Sequence, residues 1–413
     1  MVESWLEKCK ISNCGWEGDR PGYLPTRIID VGPADGSQNL ILVVTKPSGT
    51  ISKISGDARY IALSYCWGSE TATPFTTTTS ENLEDRKRGI SIRELPRTFQ
   101  DAVEITRRLG IRFLWIDSLC ILQGHDDSAR ADWSTEASKM TEVYGGAYLT
   151  IAAASASNVH EGILVREHRA DHEVELHLHS ESHPGINHAV FVRPKASFQQ
   201  SIDEPLYHRG WTLQERILSP RVLICIRDQF AWECQCRTET ESGGQMESIG
   251  AMRLDTKRDW TDGNDLASFT DAWQCIVTEY SARSLTQRSD KLPAIAGLAR
   301  KFSNFHSGAG GRYLAGLWEN SLLDDMLWSH WSIDVGAKPT RGRPATYRAP
   351  SWSWASVDGN VRWPLADSNR EGPYFVKIID IKCDPAGEDA FGCVSAGFVK
   401  LRGGLKRIDR LVV

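Results

Sequence analysis

Long apolar runs and a strong net charge are both missing from this sequence. No apolar segment reaches the roughly 18 residues that a membrane-spanning helix needs, so we expect no membrane span. The opening residues, Met1 to Lys8, include acidic side chains and no apolar stretch, which does not fit a secretory signal peptide. The 48 Lys and Arg against 53 Asp and Glu leave a net charge of only −5. Nucleic acid and anionic membranes are therefore disfavoured as partners, since residues 86–88 (Arg-Lys-Arg) offer only a short basic run.

Internal repeats and long low-complexity linkers are missing too. Ten cysteines spread over 413 residues, without a secretion signal, are typical of intracellular thiols rather than of a disulfide framework. A chain of this length is expected to hold two or three domains, or one core domain with a large elaboration. We therefore expect a cytoplasmic (intracellular) globular protein that needs no covalent cross-links to hold its core.

Tryptophan is the residue type in excess, and the chain is tryptophan-rich with 15 of them. A tryptophan is large, and its indole N–H needs a hydrogen-bond partner when it is buried. Two interpretations follow from the count alone. Either the protein has a large aromatic core, or some of the tryptophans line a binding site.

A strand–helix–strand–helix–strand pattern occupies residues 60–157. Three short apolar runs predict strands buried on both faces: 60–67, 113–117 and 147–152. Two segments with apolar residues at helical spacing predict the helices between them: 97–109 and 129–144. Pro96 opens the first helix and Gly110 ends it, while Asp126 can cap the second. The fold class predicted is α/β, with a parallel sheet and helices packed on it.

The flanking segments predict a mixed elaboration of this core. Residues 26–56 favour two strands joined by a turn at 32–36, after a polar N-terminal arm. Downstream, the patterns predict two hairpins (174–192 and 217–233), two helices (269–281 and 291–302) and then short strands. We therefore divide the chain into an arm and hairpin packing on the core (1–58), an α/β core (59–160) and an α+β extension with tryptophan-rich motifs (161–413).

Two predicted strands end in polar and aromatic residues. Ligands bind beyond the carboxyl ends of the strands in open parallel sheets, so the segments 64–68 and 117–120 are expected to converge on a site. Packing of Tyr65 and Trp67, with Asp117 capping a turn, is the alternative. Cys120 is a candidate nucleophile there, although a buried structural thiol explains it equally simply.

Glu136 lies on the helix after the second strand, at the flank of its apolar stripe. It is either a solvated helix residue or a carboxylate directed into the strand-end cleft. In the cleft it would stabilise a sugar cation as a C–N glycosidic bond breaks, as carboxylates do in glycosidases.

Other polar segments have weaker functional interpretations. His177 and His179 share one face of a predicted strand, so they form either a metal pair or part of an exposed polar hairpin. Cys234 and Cys236 lack the spacing of a zinc site, and we predict no metal. The segment 208–216 joins a tryptophan to several polar groups; there Arg216, with Arg221 downstream, either clamps a phosphate or carboxylate or makes structural ion pairs.

Seven segments, taken in order, resemble the fungal heterokaryon-incompatibility (HET) domain and the extension such proteins carry. The matching segments are YIALSYCWG (60–68), LPRTFQDA (95–102), LGIRFLWIDSLCILQ (109–123), EASKMTEVY (136–144), AYLTIAA (147–153), RGWTLQERILSPR (209–221) and PSWSWAS (350–356). The resemblance implies a role in non-self recognition between fused fungal cells, ending in programmed cell death. HET domains have been likened to TIR domains, some of which hydrolyse NAD through a glutamate in the corresponding helix. Glu136 is the residue that this likeness implies.

Three functions stay open: an incompatibility effector with TIR-like NAD hydrolysis, a HET-like enzyme of small-molecule (secondary) metabolism with an aromatic pocket, and a non-catalytic interaction module. NAD is expected as a substrate in the first, with no certain cofactor. The partners expected are a second copy, another incompatibility protein or a small ligand. The catalytic candidates are Glu136, Asp117 and Cys120. The ligand-binding candidates are Ser64, Tyr65, Trp67, Gly68, Ser118, Gln123, Trp211, Gln214, Glu215, Arg216 and Arg221.

Overall fold

The computed structural model places the chain in two compact units, Met1–Asp259 and Trp260–Val413, which we call the first and second units. It describes residues 1–12, 23–45, 58–68, 75–164, 174–179, 187–192, 204–227, 229–242, 266–306, 308–330, 342–364 and 375–404. None of the helices in these ranges is both long enough and apolar enough to cross a bilayer.

The first unit is built on a mixed eight-stranded sheet. Its strands are β1 (Arg27–Asp30), β2 (Ile41–Val44), β3 (Tyr60–Ser64), β4 (Phe113–Trp115), β5 (Leu149–Ala152), β8 (Arg221–Cys225), β9 (Phe230–Cys234) and β10 (Thr238–Thr240), with β6 (Val174–His179) and β7 (Asn187–Val192) forming a separate hairpin. The spatial order is β10-β9-β8-β5-β3-β4-β1-β2. The four central strands, β8, β5, β3 and β4, are parallel. This arrangement confirms the α/β fold class.

Helices connect and cover these strands. They are α1 (Val2–Ile11), α2 (Leu83–Arg88), α3 (Arg97–Arg108), α4 (Asp117–Cys120), α5 (Asp127–Ala137), α6 (Met140–Gly146) and α7 (Trp211–Leu218), with 3-10 turns at Ile92–Glu94 and Pro205–His208. The predicted β–α–β–α–β order is therefore present in β3–α3–β4–α5/α6–β5. Every residue of β3 and of β5 is buried, which explains why both segments are apolar throughout.

Three local features differ from the sequence-based prediction. The segment 129–144 forms two helices rather than one, because the chain tightens after Ala137, where the Lys139 amide bonds back to the Glu136 carbonyl, three residues earlier. The N-terminal segment begins with the helix α1, whose Trp5 packs against Trp232 with ring centroids 6.1 Å apart. The hairpin of β1 and β2 joins the main sheet, because β1 pairs with β4 in the antiparallel direction.

The second unit combines helices with short antiparallel strand pairs. Its elements are α8 (Leu266–Ser281), α9 (Pro293–Phe305), α10 (Leu322–Asp325), β11 (Tyr313–Leu314), β12 (Leu317–Trp318), β13 (Ser329–His330), β14 (Val361–Arg362), β15 (Val376–Pro385) and β16 (Val394–Gly403), with 3-10 turns at Arg288–Lys291 and Trp354–Ser356. The predicted helices at 269–281 and 291–302 correspond to α8 and α9.

Tryptophans form the core of the second unit. The indole N–H groups of Trp273 and Trp354 both donate to the carbonyl oxygen of Gly316, each at 2.9 Å. Gly316 has φ of +97°, and a Cβ there would lie 2.6 Å from the Trp354 Nε1, so only glycine fits. Much of the tryptophan excess in the sequence is therefore explained by ordinary core packing.

Candidate functional site

The parallel strands β3 and β4 lie side by side and end at the same edge of the sheet. Tyr65, Cys66 and Trp67 follow β3 directly, and Asp117 and Ser118 follow β4 after one residue. The structure thus brings together the two polar segments that the sequence predicted at this edge. Trp67 and Asp117 keep partial solvent exposure, while Tyr65 and Ser118 are buried beneath them.

Asp117 is held by donors on both of its carboxylate oxygens. The Tyr65 hydroxyl donates to Oδ1 at 2.5 Å, and the Ser118 amide donates to the same oxygen at 2.6 Å. The Trp67 indole N–H donates to Oδ2 at 3.0 Å. The Tyr65 hydroxyl also lies 2.9 Å from the Ser118 Oγ. These bonds fix the position of the carboxylate at the strand edge.

A second carboxyl group reaches this edge from α7. The Glu215 carboxyl group lies close to the side chains of Ser64, the last residue of β3, and of Tyr144 on α6. The Arg209 guanidinium, just before α7, donates to the Tyr65 carbonyl oxygen, and its charge acts on both Asp117 and Glu215. We call Asp117, Glu215, Tyr65, Tyr144 and Arg209 the carboxylate cluster.

Burial shifts the proton affinity of both carboxyl groups. Asp117 and Glu215 are each partly exposed as residues, but protein atoms surround their carboxyl groups closely. Desolvation raises the pKa of Asp117 above its ordinary value, against the opposing hydrogen bond from Tyr65. It raises the pKa of Glu215 to about 7, although Ser64 and Arg209 favour the charged form. Glu215 can therefore take up or release a proton near neutral pH, as a general acid or base must.

Four other ligand-binding candidates lie in the same sequence segments as members of the cluster: Gly68, Gln123, Trp211 and Gln214. Gly68 is exposed and has φ of +95°, so it turns the chain away after β3. Gln123 is half-buried. Its backbone N–H donates to the Thr78 carbonyl oxygen, and its side-chain Nε2 donates to the Ile121 carbonyl oxygen. Trp211 begins α7 half-buried, and Gln214 is buried beside Glu215 on the same helix.

Glu136 lies on α5, one strand away from the cluster. Its Oε1 accepts from the Thr26 hydroxyl at 2.7 Å and from the Lys139 ammonium at 2.8 Å. The residue is only 3% exposed. Because β1 is antiparallel to β4, Thr26 lies near the edge where β4 ends. Glu136 is thus close to the predicted edge but is enclosed and ion-paired there, rather than joined to Asp117.

Cys120 ends α4 in a buried position. Desolvation raises the pKa of its thiol to about 12, so the thiol is protonated at neutral pH. Its carbonyl oxygen accepts from the Arg27 Nε at 2.6 Å, which ties α4 to β1. A buried, protonated thiol is a poor nucleophile, and we leave Cys120 out of the chemistry proposed below.

The two arginines of the downstream motif make structural contacts. The Arg216 Nε donates to the Glu233 carboxylate on β9 at 2.6 Å. Arg221 begins β8, so it lies at the amino edge of the parallel strands, opposite the carboxylate cluster. There its guanidinium lies 5.0 Å from the ring centroid of Tyr148 and 3.4 Å from the Cys9 Sγ.

Arg209 and Tyr144 are the members of the cluster that sequence reasoning missed. Both fall inside the quoted segments, at 209–221 and 136–144, but neither is a typical acid or base in isolation. The Tyr144 hydroxyl reaches the end of β3 from α6, and the Arg209 charge reaches it from the segment just before α7. Of the histidine pair, His177 lies on β6 of the separate hairpin, and the side chain of His179 lies outside the described residues.

The family comparison identifies the domain that holds the cluster. Residues 60–215 match the model of the family described as Heterokaryon incompatibility protein (HET). The match begins at the first residue of β3 and ends at Glu215, so it contains every member of the carboxylate cluster. No curated protein and no solved structure matches the chain. The chain therefore contains a heterokaryon incompatibility (HET) domain over residues 60–215.

Proposed function

We propose that this protein is an effector of heterokaryon incompatibility, acting in fungal non-self recognition and programmed cell death by hydrolysing the C–N glycosidic bond of NAD. The convergence of Asp117 and Glu215 at the carboxyl edge of β3 and β4 carries this proposal. The substrate class comes from the resemblance of HET domains to TIR domains, whose NAD-cleaving members use a carboxylate near such an edge.

The two carboxyl groups have different roles in the proposed reaction. The bond between the ribose C1′ and the nicotinamide nitrogen breaks, and its electron pair passes to the nitrogen, which loses its positive charge. The Asp117 carboxylate stabilises the positive charge that develops on the ribose, as carboxylates do in glycosidases. Glu215 removes a proton from the attacking water as the new C1′–O bond forms, and then releases that proton to solvent.

The surroundings of the carboxylates support these roles. Tyr65 and Trp67 hold the Asp117 carboxylate in place, so little reorganisation is needed when charge develops. The half-exposed Trp67 ring lies edge-on to Phe75, with centroids 5.5 Å apart, and offers an aromatic surface to a nicotinamide or adenine ring. Glu215 is also partly exposed, so water can reach it.

Glu136 is the alternative carboxylate, and the geometry favours Asp117 and Glu215 over it. The Glu136 carboxylate is enclosed by protein and neutralised by Lys139 at 2.8 Å. A carboxylate already paired with an ammonium stabilises a developing cation less than one without such a partner. Glu136 would need to break this ion pair and move before it could act on a substrate.

Release of nicotinamide from NAD by the purified full chain tests the proposal. We expect slow but measurable turnover, reduced at least about 100-fold by Glu215→Gln and by Asp117→Asn. Glu136→Gln should keep most of the activity if its role is structural. Glu104→Gln is the matched control, because Glu104 is a half-exposed helix glutamate that forms an ion pair with Arg108.

Growth of fungal cells after induced expression provides the second readout. The native chain should arrest growth, and Glu215→Gln should not, while Glu104→Gln should act like the native chain. No NAD turnover at high protein concentration, with toxicity unchanged in Glu215→Gln, would overturn the enzymatic proposal. That result would favour a non-catalytic interaction module, with a second copy or another incompatibility protein as its partner.

One observation favours a second function, a HET-like enzyme of small-molecule metabolism. Trp67, Phe75, Phe99 and Tyr65 form a chain of edge-to-face rings with centroids 5.0–5.9 Å apart. Phe75 also lines an open groove of about 440 Å³. An aromatic metabolite bound there should change the tryptophan fluorescence, and Phe75→Ala should abolish that change.

A further inference from the structure

The second unit contains a cavity with four positively charged side chains among its ten described lining residues. It has a volume of about 190 Å³ and lies beyond the C-terminal end of α8. We call it the cationic cavity, defined by Arg283, Arg288, Lys291 and Arg348 in its walls. Asp358 is the one carboxylate among its described lining residues.

The charges around the cavity are unbalanced. Asp358 bridges two cations, with Oδ2 lying 3.0 Å from the Arg288 Nη1 and Oδ1 lying 2.8 Å from the Arg348 Nη1. Arg283 is paired with Glu279 on α8 at 2.5 Å. Among the described lining residues, four cationic side chains thus accompany one carboxylate, while Glu279 lies outside this lining. The lining therefore carries an excess of positive charge in a concave site.

Lys291 is the most unusual of these cations. It is only 5% exposed, and its Nζ donates to the Val357 carbonyl oxygen at 2.6 Å. The Arg348 Nη2 donates to the same oxygen at 2.9 Å, so the two cationic groups are neighbours. An ammonium group carries three N–H donors, and one of them is used in this bond. Asp358, which is bonded to Arg348, offsets part of the charge of these two buried cations, and a second anion in the cavity would offset more of it.

We propose that the cationic cavity binds the phosphate group of a small ligand. A phosphate carries more negative charge than a carboxylate and has more acceptor oxygens, which suits a site with several cations. Arg288 is 74% exposed and is bonded to Asp358 through Nη1, so it can turn toward an anion at the mouth. Lys291 then supplies donors from the wall, and the hydroxyl of Ser284 lines the same cavity.

Arg348 has a different part in this site. Four of its five N–H donors are used in bonds to Ala355 O at 2.7 Å, Arg288 O at 3.1 Å, Val357 O and Asp358. It therefore contributes mainly fixed charge to the cavity. The site is independent of the NAD chemistry proposed above, because all its residues belong to the second unit.

Titration calorimetry of the full chain with inorganic phosphate and with sulfate tests this proposal. Sulfate has the same tetrahedral shape but a constant charge between pH 6 and 8. We expect both anions to bind, and Arg288→Gln to weaken binding at least tenfold without altering the circular dichroism. Lys291→Met should weaken it further. Arg312→Gln is the matched control, because Arg312 is an exposed arginine of the same unit that pairs with Glu319.

Each result of these titrations either supports or contradicts the phosphate site. Tighter binding of glycerol 3-phosphate than of inorganic phosphate would identify a phosphorylated organic ligand, and the reverse order would identify free phosphate; either result supports a phosphate site. Failure of both phosphate and sulfate to bind the native chain would overturn the proposal. Equal weakening by Arg288→Gln and Arg312→Gln would also overturn it, because it would show non-specific charge attraction.

Discussion

The first unit holds carboxyl groups at the end of β3 and β4, whereas the second unit holds ammonium and guanidinium groups around its cavity. Desolvation raises the pKa of Glu215 to about 7, and the same cause lowers the pKa of Lys291 to about 7. In both places the charged form is disfavoured because protein atoms have replaced water. Each unit therefore keeps an ionisable group that changes charge near neutral pH.

Other buried charges of the first unit belong to ion pairs that hold its elements together. Arg27 pairs with Asp132 and also bonds to the Cys120 carbonyl, and Glu136 pairs with Lys139. Each of these charges has an oppositely charged neighbour that serves the packing of α4 or α5. The difference indicates which buried charges hold the fold together and which are available to a ligand or a reaction.

Asp325 extends this comparison to the second unit, because it is a fully buried carboxylate there. Its oxygens accept from the Trp318 amide at 3.1 Å, the Ser321 hydroxyl at 2.8 Å and the Gln274 amide at 3.1 Å. Asp325→Ala leaves these buried donors unpaired, so we expect a loss of about 3 kcal/mol or more in the stability of the second unit.

Hydrogen exchange of peptides from α8 and α10 checks the Asp325 prediction. Asp384→Ala is the control, since Asp384 is half-exposed and forms an ion pair with Lys382 near the protein surface. Unchanged protection in Asp325→Ala would show that the bonds around this carboxylate do not hold the unit together.

The opposite pKa shifts predict opposite pH dependences of stability. The folded pKa of Glu215 is above its ordinary value of 4.5, so the folded state binds more protons between about pH 4.5 and 7. Stability of the first unit should fall by about 1–3 kcal/mol as pH rises through that window. The folded pKa of Lys291 is below 10.5, so the unfolded state binds more protons between about pH 7 and 10.5. Stability of the second unit should rise with pH there.

Scanning calorimetry from pH 5 to 9 measures both slopes. Glu215→Gln should flatten the first and Lys291→Met the second, each without affecting the other unit's transition. If one variant flattened both slopes, the two groups would not be acting locally.

The sequence predicted the α/β core and both segments of the strand edge, because apolar runs and the residues that follow them are local signals. The break between α5 and α6 was not predictable, because the apolar residues Ala137, Met140 and Val143 keep a helical spacing across it. Likewise, the pairing of Glu136 with Thr26 depends on β1 joining β4 in the antiparallel direction. The cationic cavity joins residues 70 positions apart, such as Arg288 and Asp358, and no local sequence pattern predicts such a pair.

The pH dependence of NAD turnover gives a smaller and more specific test of the carboxylate cluster. If Glu215 is the general base, its deprotonated form is active, so the rate should rise with pH and level off above about pH 8. At pH 6, one unit below a pKa of about 7, the rate should be roughly tenfold lower than on the plateau. A rate that falls with rising pH over this range would assign Glu215 the role of a general acid instead.

The smallest effect predicted is that of Lys291→Met on stability. Methionine fills similar space, and the change removes both the desolvated ammonium and its repulsion with Arg348, at the loss of the bond to Val357. We expect the second unit to change in stability by less than about 1 kcal/mol at pH 7, or to gain slightly. Arg348→Met should instead cost about 2 kcal/mol or more, because it removes the donor to the Ala355 carbonyl oxygen and one of the two arginines that bond to Asp358. Thermal unfolding of the two variants side by side measures the contrast. A large loss in Lys291→Met would make Lys291 a structural residue like Arg348, and the cavity would then lose the donor that distinguishes it from an ordinary ion-pair network.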